Sequence, residues 1–132
     1  MNVPKICRYC GGVIRPVPAE SVYGESAGRL GMTGETVYQC QNCNARVGCH
    51  KGSARPLGKV ANEVLRLKRV ETHQVFDAFW QGQGMSRTQA YKWLAAQLHL
   101  PESRAHIGGL EMDQCQRVME LCAAGLREEE AA

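Results

Sequence analysis

Two short cysteine pairs constrain this chain more than any other feature: Cys7-x-x-Cys10 and Cys40-x-x-Cys43. Each C-x-x-C turn can present two thiolates to one ion, and two such turns complete a tetrahedral four-sulfur site, a geometry Zn²⁺ accepts readily. Gly11 and Gly12 follow the first pair and Asn44 follows the second. Gly and Asn tolerate the left-handed backbone that a chain needs when it leaves such a turn. The 29 residues between Cys10 and Cys40 contain Val13–Val17, then Gly28, Gly31 and Gly34, then Glu35–Gln39. That order reads as a strand, a loose Gly-rich loop and a strand delivering the second pair. Ala45–Cys49 reads as a third short strand, and the whole as a zinc ribbon. The competing readings are an iron–sulfur cluster, a redox dithiol or unpaired thiols. A thioredoxin-type dithiol would need a βαβ context that the sequence lacks. One structural Zn²⁺ on Cys7, Cys10, Cys40 and Cys43 is therefore expected, with no open coordination position for catalysis.

The cysteine count supports this. Seven cysteines cannot all pair within one chain, and the N-terminus, Met-Asn-Val-Pro-Lys-Ile-Cys, has no apolar segment of a secretory signal. A reducing cytoplasmic setting, and metal ligation before disulfides, are the expectation. Cys49 and His50 adjoin the second pair; the favoured reading turns Cys49 inward and His50 outward, as neighbours on a strand. Cys115 and Cys122 read as buried small hydrophobes. No apolar run approaches the roughly 18 residues needed to cross a bilayer, so no membrane partner is expected.

Charge is unevenly placed. The net charge is +3. Residues 1–70 carry 11 Lys+Arg and 4 Asp+Glu, and residues 71–132 carry 5 and 9. Nine of 14 Gly and four of five Pro lie at or before Gly58. These shifts divide the chain into a ribbon over residues 1–57 and a helical region over 58–132, the latter packed as one unit. The fold class expected is α+β: a Cys₄ ribbon of short antiparallel strands, then a long helix and a small helical module.

The long helix is expected over about 59–81. Val60, Val64, Leu67, Val75 and Ala78 fall on one apolar face, interrupted by Glu71, and Phe76, Phe79 and Trp80 broaden the apolar surface near the end. Lys59, Asn62, Arg66, Arg69 and His73 form a second, basic face. Helices are also expected over about 86–99 and 111–127. Ser86-Arg87-Thr88-Gln89 has the form of a capping box. Met112, Cys115, Met119, Cys122 and Leu126 form a stripe on the last helix. The stretch from Thr88 also has a helix-turn-helix flavour, with Glu102–Ile107 as a short recognition helix carrying Arg104.

Several segments together resemble a known family. They are Cys7-Arg-Tyr-Cys10-Gly11, Tyr38-Gln-Cys40-Gln-Asn-Cys43, Val47-Gly-Cys-His-Lys-Gly52 and Arg55-Pro-Leu-Gly58. Further on come Ser86, Ala90-Tyr-Lys-Trp-Leu-Ala95, His106-Ile-Gly108 and Cys115. The chain resembles the small zinc-finger-containing proteins found mainly in phages and prophages. The resemblance spans about residues 7–120. It implies Cys7, Cys10, Cys40 and Cys43 as zinc ligands, a phage-like origin and a host-cytoplasm setting. It supplies no reaction.

Three functions are weighed. The first is nucleic-acid binding through Arg15, Arg46 and Lys51 of the ribbon and Arg55, Lys59, Arg66 and Arg69 of the helical stripe, where cations meet phosphates. Tyr9, Tyr23 and Tyr38 are its only aromatic stacking candidates in the front half. The second is a protein-interaction module or inhibitor acting on a host factor, such as a defence or transcription component. The third is an enzyme, for which the sequence is poor. It lacks a Walker A loop, a His-Glu-x-x-His and a Gly-x-Ser-x-Gly. No catalytic residue and no small-molecule substrate are expected.

Overall fold

A computed structural model describes the backbone of residues 3–131 and the side chains of residues 3–125. It divides into two compact units, Met1–Val64 and Leu65–Ala132.

The first unit is built on three antiparallel strands in the order β1-β2-β3: β1 (Ile14–Pro18), β2 (Thr36–Cys40) and β3 (Arg46–Gly48). The register pairs Ile14 with Cys40, Arg15 with Gln39 and Gln39 with Arg46. Because side chains alternate along a strand, this fixes two faces. One carries Ile14, Tyr38, Cys40 and Val47, which are buried with Cys7, Ala45 and Val60 as the ribbon core. The other carries Arg15, Gln39 and Arg46 in one row, and Val17, Val37 and Gly48 in the next. Isolated bridges extend the sheet at both edges, Ile6 with Val13 and Arg46 with Ala61.

The loose loop expected between the first two strands is instead two short helices, α1 (Ala19–Tyr23) and α2 (Ser26–Arg29). Helices of five and four residues do not hold themselves together in water. Here Ala19 and Ala27 are buried, the Ala19 N–H donates to the Glu35 carbonyl, and Glu20 Oε1 accepts the Gly34 N–H at 2.7 Å. This insertion lies over the far end of the second sheet face. Val37 is fully buried there, and a Cβ at Gly48 would meet Met32 Cε at 3.9 Å.

The second unit comprises most of α3 (Glu63–Gly82), α4 (Arg87–Leu98) and α5 (Met112–Ala131), with 3₁₀ turns at Glu102–Arg104 and Ile107–Gly109. α3 starts at Glu63 because Ala61 is held in a strand-like bridge, exchanging N–H···O bonds with Arg46. The buried face of α3 agrees with the expected apolar surface near its end, at Phe76 and Phe79, and departs from it earlier. Leu65, Arg69, Thr72, Phe76 and Phe79 face the core, while Val64 and Leu67 are 64% and 62% exposed and Ala78 is exposed. Both stripes have a helical period. The one containing two Phe rings buries more apolar area, and area decides which side turns inward.

The Ser86 capping box forms in full: Ser86 Oγ accepts the Gln89 N–H, and Gln89 Oε1 accepts the Ser86 N–H. α4 ends on His99 in the left-handed conformation. The core joins Phe76 and Phe79 to Ala90, Leu94, Ile107, Leu110, Cys115, Val118 and Cys122. Met112 is exposed, so the stripe on α5 is carried by Cys115, Val118 and Cys122; the side chain of Leu126 lies outside the described residues. The short recognition helix expected at Glu102–Ile107 does not form. Its two 3₁₀ turns, of three residues each, cannot lie along a groove.

Candidate metal centre

The four cysteines of the two C-x-x-C turns converge. The Sγ atoms of Cys7, Cys10, Cys40 and Cys43 all lie within 4.8 Å of one another. Cys7 Sγ is 3.7 Å from Cys43 Sγ, and Cys10 Sγ is 3.4 Å from Cys40 Sγ. Four sulfurs on a tetrahedron with Zn–S bonds of about 2.3 Å would stand about 3.8 Å apart. The donor set fits one structural zinc ion, in both chemistry and spacing.

The backbone around the cluster is arranged for negative sulfur. Tyr9 N–H donates to Cys7 Sγ, Gly12 N–H to Cys10 Sγ, Asn42 and Cys43 N–H to Cys40 Sγ, and Ala45 N–H to Cys43 Sγ, each at 3.4 Å. These outer contacts orient ligands and favour the thiolate. Without an ion the four sulfurs compete for charge. Hydrogen bonding from Asn42, then Gly12 and Cys40, lowers the Cys10 thiol to about 6. At Cys43 the Ala45 N–H lowers the pKa, but burial and the hydrogen bonds of the neighbouring thiols outweigh it, and the thiol rises to about 12. A cluster that resists full ionisation by itself, yet is lined with N–H donors, is completed by a cation.

Gly12 makes the approach possible. A Cβ there would lie 2.8 Å from Asn42 Cβ and 2.9 Å from Cys40 Sγ, so any side chain would push the second turn away. Gly11, at φ 75°, takes the left-handed step out of the first turn.

Cys49 and His50 lie outside the cluster. Cys49 is half-buried against the ribbon core, and burial, then the Glu35 carboxylate, pushes its thiol up. His50 is half-buried, and burial followed by Arg55 lowers its pKa. Both belong to a stapled loop over residues 49–56. Cys49 bridges Pro56, the His50 N–H donates to the Arg55 carbonyl, and Tyr38 Oη donates to the Ala54 carbonyl at 2.7 Å. The Glu35 carboxylate accepts the Gly52 N–H from both oxygens at 3.1 Å. The staples Glu35 and Tyr38 carry no sequence signal, since their partners are backbone atoms of a loop whose path only the fold defines.

The basic residues divide by burial. Arg15, Lys51, Arg55 and Lys59 are exposed on the first unit. Arg46 is half-buried: its guanidinium lies 5.2 Å from the Tyr23 ring, Nε donates to Tyr23 Oη, and one terminal nitrogen donates to the Asn44 carbonyl. Arg66 is half-buried on α3. Arg69 is buried rather than presented on the helix surface. It is 6% exposed, donates from Nε to the Leu110 carbonyl and lies 3.8 Å from Glu111. Of the aromatic candidates, Tyr38 is buried, Tyr23 is occupied by Arg46, and Tyr9 remains exposed beside Arg8.

Among the described residues, no helix is long and apolar enough to cross a membrane. No curated protein and no solved structure matches the chain. A family model does match, and it spans both units, from residue 3 to residue 124. The chain belongs to the DUF3268 family of zinc-finger-containing domains.

Proposed function

We propose that the chain is a non-enzymatic zinc-binding protein that binds nucleic acid through the basic surface of its zinc-supported first unit. The observation that carries this reading is the placement of acidic residues. No Asp or Glu occurs before Glu20 or between Glu35 and Glu63. Those two stretches supply the cysteine turns, all three strands and the 49–56 loop. They also carry Lys5, Arg8, Arg15, Arg46, Lys51, Arg55 and Lys59. Two of the acids that flank them, Glu20 and Glu35, already accept backbone N–H groups. A surface with this excess of cations over carboxylates attracts polyanions. Arg66 is a further candidate on α3. The zinc ion would hold the two turns in register, so that the surface is presented preformed.

The test is binding to labelled oligonucleotides over a salt series. Affinity should fall steeply as salt rises, and each phosphate-contacting cation removed should reduce the log–log slope by about 1. Absence of binding at low salt, or binding indifferent to salt, rejects the proposal. A phage or prophage setting, with action in the host cytoplasm, is part of the same reading and rests on the family resemblance.

A second reading has its own observation. Leu67 and Val70 are each more than half exposed on α3, three residues apart. Solvent-facing apolar residues on one helical stripe are the form of a protein contact. A host protein captured with nuclease-treated chain, and lost on Leu67→Ser, would support it.

A further inference from the structure

We propose that the nucleic acid is single-stranded and lies on the β1 side of one sheet face, with bases against Ile6 and Val13 and phosphates on Arg15. The inference rests on the nucleic-acid reading above and adds the class of ligand and its seat.

The seat follows from register. Arg15, Gln39 and Arg46 are direct cross-strand partners, so their side chains leave the same face in one row over β1, β2 and β3. Val13 lies two residues before Arg15, on the same side of the chain, and Ile6 is its bridge partner. The face therefore reads from the cysteine turns inward as an apolar pair, then a row open at Arg15 and closed at Arg46 by Tyr23 of α1, then Val17, Val37 and Gly48 beneath the α1–α2 insertion. Ile6 is 64% and Val13 is 49% exposed, and Arg15 is exposed. Apolar residues this open, side by side and bordered by cations without a carboxylate, suit bases rather than phosphates alone. Tyr38 and Val47 are buried on the opposite face and Val37 beneath the α1–α2 insertion, whereas Ile6 and Val13 stay open. Tyr9, exposed at the turn between the two short segments that carry Ile6 and Val13, adds an aromatic surface on which a base can stack.

The width of the sheet selects an unpaired strand. Along the row Arg15, Gln39, Arg46 and Ala61 four segments lie side by side, and three gaps of about 4.8 Å make about 14 Å. The major groove is about 12 Å wide and admits a two-stranded ribbon. A face of this width cannot enter it, and the helices on this unit have five and four residues, too short to serve as readers. In a duplex the bases are stacked away from a flat surface; in a single strand they can turn onto it. The Gln39 amide, between the two guanidiniums, offers both a donor and an acceptor to a base edge.

The experiment compares zinc-loaded full-length chain with single-stranded DNA, single-stranded RNA and the DNA duplex of the same sequence. The inference requires at least one single strand to bind about tenfold or more tightly than the duplex. The DNA and RNA arms then say which strand it is. Ile6→Ser with Val13→Ser should weaken single-strand binding about tenfold with the salt slope unchanged, whereas Arg15→Ala should weaken it and reduce the slope by about 1. Arg104→Ala, exposed on the other unit, should change neither. All these side chains are solvent-exposed; zinc content confirms that the first unit of each variant is folded, and helical circular dichroism does so for Arg104→Ala. Equal or tighter duplex binding, or wild-type single-strand affinity in the Ile6/Val13 variant, overturns this inference but leaves the nucleic-acid reading standing. No binding to any of the three overturns both.

Discussion

Arg69 Nε donates a 2.7 Å hydrogen bond to the carbonyl oxygen of Leu110, and this joins α3 to the segment that leads into α5. The guanidinium is buried, with Glu111 at 3.8 Å. Arg69→Ala should leave that carbonyl unpaired and cost about 2–3 kcal/mol. Arg69→Met, which keeps the packing of the side-chain stem, should cost less. Urea unfolding checks both. Nucleic-acid affinity should stay at the wild-type value in Arg69→Met; a loss of affinity in a stably folded variant would return Arg69 to the binding surface.

Gly12→Ala should disturb the metal centre although Gly12 is not a ligand. The added methyl would stand 2.9 Å from Cys40 Sγ, and the Gly12 N–H also serves Cys10 Sγ. Loss of an outer contact typically weakens metal binding about 10–100-fold. Competition with a chromogenic chelator measures it. A wild-type zinc affinity would contradict the close approach of the two turns.

Ligand identity separates the seven cysteines. Cys40→Ser should abolish stoichiometric zinc, whereas Cys49→Ala, Cys115→Ala and Cys122→Ala should each retain one ion. Burial pushes the Cys122 thiol up to about 11 and raises Cys115 as well, so both should resist alkylation in the native protein. Metal analysis and mass spectrometry after iodoacetamide read the two effects.

Zinc removal should act on one unit. The ribbon core contains Cys7 and Cys40, while the helical core contains no ligand cysteine. Chelation is expected to abolish the first unit's cooperative unfolding and to leave most of the helical circular dichroism. Acid should do the same. Zinc needs thiolates, so protons compete with it, and affinity must fall as pH falls. Helical signal lost in parallel with zinc would show that the second unit depends on the first.

The metal ligands, the Ser86 cap and the general order of ribbon then helices are legible in the sequence because each is local. A C-x-x-C turn, a Ser followed by Gln three residues on, and a shift from Gly- and Pro-rich to helix-forming composition all work within a few residues of backbone. The inward side of α3 is not local. Val60, Val64 and Leu67 repeat at helical spacing as well as Leu65, Phe76 and Phe79 do, and periodicity cannot rank two stripes. The ranking comes from Ile107, Leu110 and Val118, distant residues with which the Phe rings share the core. The same choice buries Arg69 and takes it out of the basic stripe it joined by count.

The first unit shows the same division. Sequence alone determined that four cysteines would gather on one ion and that the surrounding segments would be basic. Only the tertiary structure decided that Arg15, Gln39 and Arg46 stand in one row beside Ile6 and Val13. That row depends on strand register, and a shift of one residue would send each of those side chains to the opposite face. That register pairs segments which the two cysteine turns, 29 residues apart in sequence, bring together.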